Sequence, residues 1–117
     1  MELSSLMNQM LAFRDEREWA QFHTPKNLAT ALAIEAAELQ ELMLWKSEEE
    51  VADLIVSKPG HGELSDEIAD ILIYGLLFCE SAGIDPEVAI HTKLKKNAEK
   101  YPVGEAKGNA KKYTDLT

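Results

Sequence analysis

A chain of 117 residues with 45% hydrophobic content holds enough apolar material for one folded domain and too much for a disordered chain. Twelve Lys and Arg against 21 Asp and Glu give a net charge of −9, which argues against a nucleic-acid polymer as partner. A small phosphorylated ligand stays open, because a divalent cation can stand between carboxylates and phosphates. No apolar run approaches the roughly 20 residues needed to span a bilayer, and "MELSSLMNQM" lacks the pattern of a signal peptide, so a cytoplasmic location is expected. Cys79 is the single cysteine, which excludes an intrachain disulfide and a cysteine-rich zinc site; it reads as a small buried hydrophobe.

In chain order, the first helix is expected from about Leu3 to Ala20, with Leu3, Leu6, Met7, Met10 and Leu11 as its apolar stripe. "QFHTPKN" is the first joint, with Thr24 as N-cap and Pro25 at the first helical position of a second helix reaching about Trp45. Ser47 and Glu50 have the spacing of a capping box for a short third helix ending near Val56. "SKPGHG" reads as a loop, followed by a fourth helix over about Glu63 to Ala82 that stops at Gly83. Asp85 and Pro86 open a fifth helix to about Lys100, and residues 101–117 read as an extended tail. No stretch alternates like a strand. The expected fold is an all-α, compact four-helix-type bundle with one additional short helix over residues 1–100, assembling as an oligomer.

The second helix carries an anomaly. On a wheel of 100° per residue, Leu28, Ala31, Leu32, Leu39 and Leu42 form the apolar stripe, and Glu35 falls in its middle. Glu38 lies at the stripe's edge, in line with Ala31, Leu42 and Trp45. The fourth helix repeats the pattern, with Glu67 and Asp70 three apart on a face shared with Tyr74. Four interior carboxylates are costly unless they are protonated, paired or gathered round cations. A hard divalent ion, Mg²⁺ or Mn²⁺, fits oxygen ligands of this kind. Helix-dipole preference is the competing account of Glu63, Asp66 and Glu67, but it does not reach Glu35 and Glu38, two to three turns in. For those two the competing account is pairing with Lys or Arg of another helix. A carboxylate-bridged di-iron bundle needs Glu-x-x-His pairs, and neither Glu35 nor Glu67 has one.

"EAAELQEL" followed by "ELSDEIADILIY" resembles the ExxE…ExxD signature of the MazG-like, all-α nucleoside triphosphate pyrophosphohydrolases. "EREWAQFHTPKNLATAL", "LMLWK", "KLKKNAEKYP" and "KKYTDL" extend the resemblance over nearly the whole chain, toward the dCTP pyrophosphatase branch. The resemblance implies Mg²⁺ held by Glu35, Glu38, Glu67 and Asp70, cleavage of dCTP or a modified dCTP to monophosphate and pyrophosphate, and a role in nucleotide-pool sanitation. Glu35 and Glu38 are the catalytic candidates, and which of them handles the attacking water stays open. It further implies that Lys93 and Asn97 bind phosphates or metal, with Lys100 on the same helical face. It places Trp19, His23, Trp45 and Tyr74 around the base and sugar. Core or subunit contacts for Trp19 and Trp45, and an exposed loop position for His23, are the plainer alternatives. His61 and His91 read as structural or solvated. A homodimer or homotetramer is expected. The alternative function is a non-enzymatic helical oligomerisation or adaptor module whose interior carboxylates meet a partner's basic residues.

Overall fold

The computed structural model describes residues 2–116, and among these there are helices and no strands. The α-helices are α1 (Leu3–Glu16), α2 (Pro25–Glu41), α3 (Glu48–Val56), α4 (Lys58–Ala82), α5 (Pro86–Lys100) and α6 (Val103–Ala106). Short 3-10 turns cover Ala20–Phe22 and Tyr113–Asp115. Among the described residues, no helix is long and apolar enough to cross a membrane. The chain forms two compact units, one ending at Gly83 and the other beginning at Ile84.

In the first unit, α4 is the hub and α2 is its main partner. Leu28 of α2 and Leu77 of α4 are the best-buried apolar side chains, at 2% and 5% exposure. Leu32 of α2 comes within 3.6 Å of the place a Cβ would take on Gly75 of α4. Polar caps set the starts. Thr24 Oγ1 accepts the Asn27 N–H at 3.2 Å, with Pro25 at the first helical position. Ser47 and Glu50 bond reciprocally, Glu50 N–H to Ser47 Oγ at 3.1 Å and Ser47 N–H to Glu50 Oε1 at 3.0 Å.

The structure departs from the sequence expectations at four places. α1 ends at Glu16, not Ala20. Trp19 N–H bonds the Arg14 carbonyl at 3.1 Å and Glu18 N–H bonds that of Asp15 at 3.0 Å, a Schellman ending with Glu18 at φ 54°. No glycine marks that left-handed position. α2 ends at Glu41, and turns carry the chain to Trp45, itself at φ 65°.

"SKPGHG" is the first turn of α4, not a loop. Ser57 closes α3 through its N–H to the Asp53 carbonyl and opens α4 by accepting the Gly60 N–H at 3.1 Å. Gly60 is buried because the Leu54 carbonyl and side chain occupy the space a Cβ would need.

In the second unit, Asp85 caps α5 by accepting from Glu87 and Val88. The segment after Tyr101 is not uniformly extended. It contains α6 and the 3-10 turn, and Tyr113 packs edge-on against Tyr101 at 6.2 Å between centroids.

Candidate active site

The alternation of apolar and acidic positions on α2 and α4 brings carboxylates from the two helices together. One oxygen each from Glu35, Glu38 and Glu67 lies within 4.8 Å of the others. Glu35 and Glu67 are half-buried, and each has a buried Oε2 without a hydrogen-bond partner. Glu35 shares hydrogen bonding with Glu38 and then Glu67, is partly desolvated, and feels the charges of Glu38 and Asp70. Together these push its carboxyl up to about 7. Orphaned carboxylate oxygens and mutual repulsion are what an oxygen-ligated divalent cation relieves, so the donor set fits a hard cation such as Mg²⁺ or Mn²⁺.

Beside the carboxylates lies a cavity of about 440 Å³, whose lining includes Phe13, Trp19, His23, Asp70, Tyr74 and Leu77. Asp70 is exposed toward it. The Tyr74 hydroxyl is held above its ordinary pKa by burial and then by Glu35, Asp70 and Glu38, so the carboxylates and the cavity adjoin. His23 is held below the ordinary histidine pKa, first by burial and then by the positive Arg14. Its Nδ1 is buried without a partner, while its carbonyl accepts the Ser81 hydroxyl at 3.0 Å. Trp19 stands edge-on to Phe13 at 5.8 Å and tilted to His23 at 6.4 Å. An apolar chamber with few polar groups and an aromatic wall suits a flat heterocycle.

Of the residues singled out from sequence, the structure thus brings Glu35, Glu38 and Glu67 into one cluster, and Trp19, His23, Asp70 and Tyr74 into the adjoining cavity. Trp45 does not line that cavity and is 92% exposed. Lys93, Asn97 and Lys100 lie on α5 in the second unit, where Asn97 is half-buried and the Lys100 ammonium faces the Tyr113 ring at 4.7 Å. Sequence reasoning missed the α1 wall of the cavity: Leu6, Gln9, Met10 and Phe13, closed by Arg14. The signal was present, since Leu6, Met10 and Phe13 recur at i, i+4 and i+7.

A family model for the MazG-like family matches residues 30–116. The chain is similar to dCTP pyrophosphatase 1 of Bos taurus, at 41% identity over 104 residues, covering 89% of this chain and 62% of the relative. The corresponding protein of Homo sapiens is 36% identical over 104 residues, covering 89% and 61%. The chain therefore spans about three-fifths of the length of these curated relatives. A solved pyrophosphatase from Archaeoglobus fulgidus DSM 4304 superimposes with a TM-score of 0.79 at 42% identity, covering 86% of this chain and 92% of that one.

Proposed function

Because the chain belongs to the MazG-like family, we propose that it is a nucleoside triphosphate pyrophosphohydrolase that cleaves dCTP or a modified dCTP to the monophosphate and pyrophosphate. The observation that carries this reading is the joining of two features. Interior carboxylates with unpartnered buried oxygens stand beside an aromatic-walled cavity, and Asp70 and Tyr74 connect the two. The naming of the relatives as dCTP pyrophosphatases supports the choice of base.

Glu35, Glu38, Glu67 and Asp70 would hold Mg²⁺, with Mn²⁺ as a substitute. When bound, the cation neutralises triphosphate charge and polarises the α-phosphorus. Glu35 or Glu38 orients the attacking water and accepts its proton. The bond from the α-phosphorus to its bridging oxygen breaks, and pyrophosphate leaves. Trp19, His23 and Tyr74 bind base and sugar. Lys93, Asn97 and Lys100, on one face of α5, are the proposed phosphate-binding residues, the lysines by charge and Asn97 by hydrogen bonding.

The working unit is proposed to be a homodimer or homotetramer. Ile34, Leu44, Ile55, Ile68 and Leu72 are all more than 40% exposed, and burying large apolar side chains of this kind between subunits would support a small chain. Trp45, exposed and held in a left-handed backbone conformation, is then a base-wall residue presented at a subunit boundary. The single domain of residues 1–100, with the segment from 101 as an appendage, and a cytoplasmic location complete the proposal.

Release of pyrophosphate from a panel of common and C5-modified nucleoside triphosphates tests it, read as phosphate after added inorganic pyrophosphatase. Turnover of dCTP or a C5-modified dCTP with Mg²⁺ is expected. A folded protein that turns over no triphosphate with Mg²⁺ or Mn²⁺ would sink the enzyme reading. Sedimentation or light scattering that finds only monomer would remove the assembly.

A further inference from the structure

The segment between α1 and α2 carries Trp19 and His23, yet it has no buried residue of its own. It is secured at both ends by consecutive residues of α4. Before the segment, Arg14 Nη1 donates to Glu80 Oε2 at 2.9 Å. After it, the Ser81 hydroxyl donates to the His23 carbonyl at 3.0 Å. Asp15 fixes the guanidinium from its other side, accepting from Nε at 2.8 Å. The Arg14 side chain is 14% exposed and that of Glu80 38%, so the pair is shielded from water on the Arg14 side. Between the two anchors, Glu18 adopts its left-handed turn and sends Trp19 against Phe13 and His23. Here residues of both α1 and α4 line the cavity.

We propose that Arg14, Glu80 and Ser81 are positioning residues: a two-point bracket by which α4 sets the placement of Trp19 and His23 in the cavity. None of the three is given a part in the chemistry; Arg14 also lines the cavity, whereas Glu80 and Ser81 do not. The bracket rests on the reading of this cavity as the base pocket, and it assigns the selection of substrate to contacts made before the phosphate chemistry. Loosening it weakens ground-state and transition-state binding alike, which raises KM and spares kcat. R14M and E80Q are each expected to raise KM by about tenfold, the scale of one charge-assisted hydrogen bond, and S81A by about threefold, the scale of a neutral one.

The test uses R14M, E80Q and S81A, with R14K as the conservative variant that keeps a cation opposite Glu80. Steady-state kinetics on the preferred triphosphate is combined with Trp19 emission in a W45F background, Trp45 being the other tryptophan. The expected result is a raised KM with kcat within about twofold for R14M, E80Q and S81A, a shifted Trp19 emission in each, and substantial recovery in R14K. A fall in kcat at unchanged KM overturns the bracket. So does damage confined to R14M with E80Q and S81A unaffected, which would make Arg14 a direct ligand contact. Should R14M fail to fold, S81A and E80Q decide alone. Should the wild-type chain turn over no triphosphate, the proposed function falls by itself. The bracket is then read from Trp19 emission, and unchanged emission in the variants overturns it.

Discussion

The chain contains two acidic clusters of similar composition and opposite physics. Glu48, Glu49 and Glu50 form the first turn of α3, exposed to solvent and aligned with the positive end of the helix. The Ser47 backbone N–H, and then its hydroxyl, hold the Glu50 carboxyl below its ordinary pKa. Glu35, Glu38 and Glu67 converge from two helices, and there Glu35 is pushed up to about 7. In the first cluster Glu50 finds donors on Ser47, so its ionisation favours the fold. In the second, carboxylates face carboxylates, so ionisation opposes it until a cation arrives. Charge density alone therefore does not mark a site; the absence of donors does.

The largest separation of the clusters should come from E67Q and E35Q. Either is expected to lower kcat/KM on the order of 10² to 10³-fold, comparable with losing one transition-state charge contact. E48Q and E49Q should leave turnover within about twofold, since they change only an exposed helix start. Loss of comparable size from E48Q would erase the distinction.

Next in size is the response to metal. Mg²⁺ at about a hundred times its dissociation constant should stabilise the fold by about 2.7 kcal/mol. A thermal melt should show that gain in wild type and a much reduced gain in E67Q.

A third measurement follows the sign of each shift. The folded Glu35 pKa, about 7, lies above its ordinary 4.5, so the folded state binds this proton more tightly than the unfolded state. Its stabilising contribution is complete below about 4.5 and is lost as pH rises through about 7. In metal-free protein, wild type should lose stability relative to E35Q across that window, and Mg²⁺ should reverse the loss. Glu50 has the opposite sign: its contribution is present above 4.5 and fades as pH falls through its lowered folded value. Parallel pH–stability curves for wild type and E35Q would show that the carboxylates do not repel one another.

The smallest effect belongs to S47A, which removes the α3 cap at a cost of about 1 kcal/mol and should leave activity untouched. A denaturant midpoint reads the first and a turnover assay the second.

How much of this was legible depends on the range of the interactions involved. Thr24–Pro25, the Ser47–Glu50 box, Gly83 and Asp85–Pro86 were readable because caps act over three or four residues. The anomaly of Glu35 was readable because an apolar stripe has a period, and a charge in its centre breaks it. The start of α4 is not legible in the sequence because Pro59 and Gly60 usually punctuate loops. Here Pro59 sits in the first turn of the helix, and Gly60 answers to Leu54 of α3, which no local pattern contains. The end of α1 is not legible either, because its left-handed residue is Glu18 in place of glycine.

The sequence by itself determined an all-helical chain, most of its helix starts, and two helices that each carry a pair of carboxylates on an otherwise apolar face. Those are consequences of backbone periodicity and local capping, which act within a few residues. Tertiary structure decided which carboxylates meet, that α1 supplies a wall with Phe13 and Arg14, and that Trp45 lies outside that wall. The reason is geometric: a helix fixes the face on which a side chain stands, but only the packing of α1 and α2 on α4 fixes what stands opposite.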